Sequence, residues 1–171
     1  MTDRLERRDD ERRAAAYTEL EHPTDLFVEI HGRDARELLE NALFAFYDQI
    51  SELSGFEARR ELTLEAGGAE LDIALRALLS EALFYFDTEG FVAVTEEVTV
   101  EGGAAEAESC AETALPVMCA NPGWRVSARL VGENADRSRH ILLHEVKAIT
   151  YHRLAIEQTA EGLTATVLLD L

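Results

Sequence analysis

The chain has 171 residues, 47% of them hydrophobic, which is enough apolar material for one ordinary domain with a core of its own. Its 34 acidic residues against 16 basic ones give a formal net charge of −18, a field that repels a phosphate backbone and argues against direct nucleic-acid binding. No run approaches the roughly 20 apolar residues that span a bilayer, and the N-terminus MTDRLERRDDERR lacks the apolar segment of a secretory signal, so a cytoplasmic protein without membrane contact is expected.

Residues 1–16 hold five Arg against five acids and no apolar stripe, the pattern of a charged flexible tail. The domain proper, 17–171, then carries the whole excess, 29 acids over 11 bases. That excess suits steering toward a basic protein partner or concentrating a hard cation, and equally suits simple solubility or a saline habitat. Leu26, Val28 and Ile30 alternate with Phe27, Glu29 and His31 in the period of a half-buried strand, which Gly32 ends. A helix follows, with Asp34 as its N-cap, Glu37 three residues on in the manner of a capping box, and Leu38, Leu39, Ala42, Leu43, Phe46 and Ile50 at helical spacing.

Ala58 to Glu65 alternates again, and Gly67-Gly68 is expected to break the strand before a second helix with Leu71, Leu75, Leu78, Ala82 and Phe86 on one face and a stop at Gly90. Phe91 to Val100 reads as a strand. Residues 102–123, rich in Ala and Glu with Pro116 and Pro122, read as an insertion or long loop. Cys110 and Cys119 fall in this stretch without a CxxC or a neighbouring His, so they are expected as free thiols, neither a zinc site nor a disulfide framework. Trp124, Val126, Ala128 and Leu130 alternate up to Gly132, and a polar loop follows. Val146, Ala148, Thr150, His152, Leu154 and Ile156 line one face of a long strand, leaving Lys147, Ile149, Tyr151 and Arg153 on the other. A turn over 160–162 folds it into a hairpin with Leu163 to Asp170. The class is α+β, mainly antiparallel sheet with two amphipathic helices packed on it.

Four polar clusters stand where structure alone asks for apolar or turn residues. Glu21-His22-Pro23-Thr24-Asp25 precedes the first strand, where a plain turn is the simpler use of its Pro and Asp. Asp87-Thr88-Glu89-Gly90 puts two acids at the negative end of a helix dipole, an unfavourable place that hints at another use. Gly132-Glu133, Asp136 and Arg139-His140 lead into Val146-Lys147-Ala148-Ile149-Thr150-Tyr151-His152. There a lone Lys ordinarily snorkels to solvent, and His152, on the face of Val146 and Leu154, is more readily a core histidine than a ligand. Finally, Leu163 to Leu171 is apolar strand up to the chain end, so the terminal carboxylate beside Asp170 is held by a sheet. Asp25 and Asp170 with that carboxylate could offer several hard oxygens to one cation, calcium taking about six to eight and magnesium about six.

The order EHPTD, DTEG, GE with D and RH, VKAITYH and a final LLDL resembles the archease family, over about residues 17–101 and 124–171. The usual EHTAD appears here as EHPTD, a departure that keeps His22 and Asp25. The resemblance implies an archease-like fold and a protein, not itself an enzyme, that helps an RtcB-type RNA ligase become guanylylated and turn over repeatedly in tRNA splicing and RNA repair. It implies Asp25, Asp170 and the carboxylate of Leu171 as ligands of a divalent metal, calcium first, with magnesium or manganese as alternatives. Lys147 matches a basic residue that the family needs. The other motif residues, His22, Asp87, Glu89, Asp136, His140, Tyr151 and His152, are expected to face the partner or serve activation, in a monomer or weak homo-oligomer. Two competing classes are a small metal-dependent hydrolase using Asp25, Asp170, His22 and His140, and a general acidic interaction or chaperone-like protein. Against the first, no nucleophile elbow, HExxH or phosphate-cradling glycine loop is present.

Overall fold

A computed structural model describes residues 10–103 and 123–171, with Tyr151 and His152 described by their backbone alone; Cys110 and Cys119 lie outside the described residues. The helical residues 10–16 (α1) lead into β1 (Tyr17–Leu20) and β2 (Leu26–Gly32), followed by α2 (Ala35–Ile50) and a 3-10 turn at Leu53–Gly55. Then come β3 (Arg60–Gly68), α3 (Leu71–Glu89), β4 (Phe91–Gly102), β5 (Trp124–Asn134), β6 (Ala148–Thr159) and β7 (Gly162–Asp170). All pairings are antiparallel, in a four-stranded sheet ordered β1-β2-β7-β6 and a three-stranded sheet ordered β3-β5-β4. Both helices touch both sheets. Val28, Ile30, Ala165, Val167 and Leu169 from the larger sheet and Leu64, Val98, Val126, Ala128 and Leu130 from the smaller one are buried in a common core with them. The α+β class read from the periodicity is the class of the molecule.

Helix α2 starts where the sequence places it, with Asp34 accepting from the Glu37 N–H at 2.9 Å. Only half of a capping box forms, because the Glu37 carboxylate reaches past Asp34 to the Arg33 N–H at 2.7 Å and the Arg33 side chain. The helix is buried well beyond its expected apolar face. Phe44, Tyr47, Asp48 and Gln49 are also covered, and the N-terminal segment does part of the covering. Residues 10–16, expected as part of a flexible tail, are helical: Arg13 grips Asp48 with two nitrogens, one at 2.8 Å, and Arg12 pairs with the buried Glu96. The Tyr17 hydroxyl donates to Asp48 at 2.6 Å and receives the Gln49 amide at 3.0 Å. Burial and the Asp48 carboxylate hold the Tyr17 phenol well above its ordinary range.

Two details of the strands differ from their expected form. Gly67 and Gly68 do end β3, but as its last two paired residues, opposite Arg125 and Trp124, where a Cβ on Gly67 would lie 2.6 Å from the Trp124 carbonyl oxygen. At the start of β6 the expected faces do not hold: Ile149 is buried opposite the buried Leu169, so it does not share the solvent side of Lys147, and the buried Val146 lies just before the strand. Further along the alternation itself breaks, since β6 advances from Thr150 to Ala155 while β7 moves only from Leu168 to Thr166. The surplus residues form a wide bulge containing Arg153 at φ 60, a left-handed backbone uncommon for a residue with a side chain.

Candidate functional site

Strand β7 runs between β2 and β6, so the chain end is flanked on both sides by paired backbone. Leu26, the first residue of β2, pairs with Leu169, so Asp25, in the bend just before that strand, and Asp170, the last residue of β7, stand at the same end of the sheet. On the other flank Ala148 pairs with Asp170, and the Lys147 N–H donates to the Asp170 carbonyl at 2.8 Å. Strand alternation gives Asp170 the parity of Leu168, on the face opposite Val167. The Leu171 side chain packs on the core, which fixes the terminal carboxylate. The exposed Lys147 donates through Nζ to a Leu171 oxygen at 3.1 Å.

The approach to Asp25 is shaped by the loop before β2. Thr24 donates its hydroxyl to Asp25 Oδ2 at 3.0 Å. His22 Nδ1 lies 3.3 Å from the same oxygen but is not aligned for a hydrogen bond, and this buried nitrogen has no hydrogen-bond partner. The His22 ring stands edge-on to Phe27 with centroids 6.3 Å apart, and the Arg153 guanidinium lies over the Phe27 ring at 5.9 Å. The bulge of β6 therefore brings a second cation toward the end of the sheet where Lys147 stands, a feature that alternation counting could not reveal.

The carboxylates of Asp25 and Asp170 and that of Leu171 at this sheet end are hard oxygens of the kind a divalent cation such as calcium takes. Among the described residues no three His, Cys, Asp or Glu side chains gather around one point.

The other motif residues lie elsewhere. At the end of α3 the Thr88 hydroxyl donates to the Phe84 carbonyl, Glu89 pairs with Arg60, and Gly90 closes the helix at φ 70 with its N–H on the Phe86 carbonyl. Asp87 has no such duty; burial and the nearby Glu145 push its carboxyl above the usual range. Gly132 has no room for a side chain, since a Cβ would meet the Val92 carbonyl oxygen at 1.9 Å. Glu133 accepts from the Glu57 N–H at 2.8 Å and pairs with Arg139; burial pushes its carboxyl up, but these donors together with Arg59 hold it below the usual range. Asp136 folds its own loop by accepting from the Ser138 N–H and hydroxyl, at 2.9 and 2.6 Å, which lowers its carboxyl.

His140, expected to face a partner, is buried. Its Nδ1 accepts from the Asp136 N–H at 2.8 Å, which leaves Nε2 as the donor to Glu133 at 3.1 Å, and its ring stacks on Phe56 at 3.9 Å. Replacing His140 with Ala strands the Asp136 N–H, takes one of its several donors from the buried Glu133 carboxylate and removes the stack, a loss of about 2–4 kcal/mol. The expected result is a clear fall in melting temperature; an unchanged melting curve with lost function would return His140 to the partner surface. Side-chain placement of Tyr151 and His152 lies outside the described residues.

Residues 17–171 match the family model described as the Archease protein family. The protein archease of Archaeoglobus fulgidus is 35% identical over 155 residues, covering 91% of this chain and 98% of that relative. The solution structure of Methanobacterium thermoautotrophicum protein 1598 superposes with a TM-score of 0.70 at 24% identity, covering 92% of this chain and 99% of that one. The crystal structure of an archease, "possible chaperone", from Thermotoga maritima gives a TM-score of 0.51 at 20% identity, with 89% and 94% covered. At these identities the two structures speak for the fold.

Proposed function

Because this chain belongs to the archease family, we propose that it is a metal-dependent activator of an RtcB-type RNA ligase, promoting guanylylation and repeated turnover in tRNA splicing and RNA repair. The observation that supports this reading is that Asp25, Asp170, Leu171 and Lys147 stand at one end of the larger sheet, with Lys147 bonded to a Leu171 oxygen. Asp25, Asp170 and Leu171 would hold the cation, calcium first among hard ions and magnesium or manganese as alternatives. A bound cation supplies positive charge for a nucleotide phosphate. Lys147, already turned to the terminal carboxylate, adds a mobile charge on the exposed side of the same edge. The chain itself performs no bond-making step in this reading, and the chemistry stays with the ligase. No helix among the described residues is long and apolar enough to cross a membrane.

A metal-dependent hydrolase built on Asp25, Asp170, His22 and His140 is disfavoured because both His140 nitrogens are engaged inside their own loop. A general acidic chaperone, the possible role named for the Thermotoga protein, would tolerate loss of Asp25 or Lys147. The deciding experiment mixes the protein with its cognate ligase at substoichiometric ratio. Ligation beyond one turnover per ligase supports the activator; a single turnover with and without the protein rejects it. In the same assay a C-terminal extension is expected to abolish activation, because it turns the Leu171 carboxylate into a neutral amide and drives chain into the site, while an N-terminal tag leaves activation intact. Equal activity of the two tagged forms would remove Leu171 from the ligand set.

A further inference from the structure

Among the described residues four large apolar side chains stand exposed: Ile73, Phe84, Ile141 and Leu143. One of them, Leu143, lines an open groove of about 610 Å³ at the end of α3, and Phe84 and Ile141 lie close in the chain to other residues of its lining. Leu143 and Asp87 line it, Phe84 sits one helical turn before Asp87, and Ile141 sits two residues before Leu143 in an extended segment. That segment is held, not loose. The Glu52 N–H donates to the Ile141 carbonyl at 3.0 Å and the Leu143 N–H donates to the Ile50 carbonyl at 2.9 Å, so Leu142 packs inward while Ile141 and Leu143 are 58% and 51% exposed. Apolar side chains kept out of the core by a defined backbone mark an interaction surface more than a chance exposure.

The groove also carries charge. Asp87 and Glu145 both line it and lie close enough to repel, with Arg137, His140 and His144 as the other titratable groups on its walls. In a chain of net charge −18 the sum remains acidic. A second copy of this chain would bring the same acids to the same place, so self-association across this face is opposed. A basic partner is favoured. The groove is also continuous with the site: Glu145, on its wall, stands two residues before Lys147, with the buried Val146 between them as an anchor.

Resting on the activator reading, we infer that this groove docks a surface of the ligase that presents aliphatic side chains beside Lys or Arg, and that docking here delivers Lys147 and the Leu171 carboxylate to the ligase's nucleotide.

The test titrates the full chain against a fixed amount of ligase and reads both the half-saturating concentration and the plateau rate of guanylylation. The double variant Ile141→Ser with Leu143→Ser is expected to raise the half-saturating concentration at least about tenfold with the plateau retained, as loss of a docking anchor does. Asp87→Asn with Glu145→Gln is expected to raise it less and to flatten its dependence on salt. If the double variant fails to fold, Phe84→Ser, on the exposed side of α3, carries the same test. Wild type that never stimulates the ligase overturns the activator reading itself. Wild type that stimulates, with these variants indistinguishable from it, overturns the groove alone. A wild-type dimer in sedimentation that dissociates in the Ile141→Ser, Leu143→Ser form also overturns it, in favour of a second copy as the occupant.

Discussion

Replacing Asp25 or Asp170 with Asn is expected to weaken divalent-cation binding by on the order of 100-fold and to return the ligase to its unassisted rate. Residues that merely support a metal's ligands typically cost about 10–100-fold when changed, so the loss of a charged ligand itself belongs at or beyond the upper end. Melting curves give an independent reading. A cation at about 100 times its dissociation constant stabilises the folded wild type by about 2.7 kcal/mol, which for a chain of this size is about 5–10 °C. Either variant should lose that rise. Without the cation, each should melt close to wild type, because neither carboxylate belongs to the buried core. A variant that keeps the metal-induced rise while losing activation would take its carboxylate out of the ligand set and leave it a role toward the partner only.

Much of the fold was legible because most elements obey one period. Strand β2, both long helices, β5 and the β6–β7 hairpin follow from alternation, helical spacing and glycine stops. What escaped were features decided by contacts distant in sequence. Strand β1 offers only four residues and owes its place to β2. Residues 10–16 read as solvated charge because the partners of Arg12 and Arg13, Glu96 and Asp48, lie 84 and 35 positions away. Gly67 and Gly68 carry the usual mark of a break, yet here they permit close approach of β5. The bulge in β6 left no trace in an otherwise regular pattern of side chains, because nothing local forces Arg153 to φ 60.

For the site, residue types were legible and roles were not. Nothing in the spacing of Asp25 and Asp170, 145 positions apart, places them at one end of the same sheet; the β2–β7 pairing does. The second half of the motif set divides instead. Gly132, Glu133, Asp136 and His140 tie up one another and the 3-10 turn region through Glu57 and Phe56, a structural knot that fixes where residues 141–147 leave the core. Asp87 and Glu145, by contrast, remain at the surface of a groove lined also by Leu143, which with Ile141 looked like any short apolar run in sequence.

Lys147→Ala is expected to leave stability within about 0.5 kcal/mol of wild type and to remove most of the activation. The side chain is exposed, and its link to the Leu171 oxygen at 3.1 Å is a surface contact of the kind that contributes about 0–1 kcal/mol. Its backbone N–H, which pairs with the Asp170 carbonyl, survives the substitution, so the strand end and the carboxylates beside it stay in place. Metal binding should therefore persist, with the cation-induced rise in melting temperature intact. What disappears is a positive charge free to leave the terminal carboxylate for a nucleotide phosphate inside the complex, where water is excluded and the charge acts strongly. In the ligase titration the plateau rate should fall at least about tenfold without a shift in the half-saturating concentration, the reverse of the pattern expected for the groove variants. A Lys147→Ala protein that folds, binds the cation and still supports repeated turnover at the wild-type plateau would reduce this residue to a surface lysine.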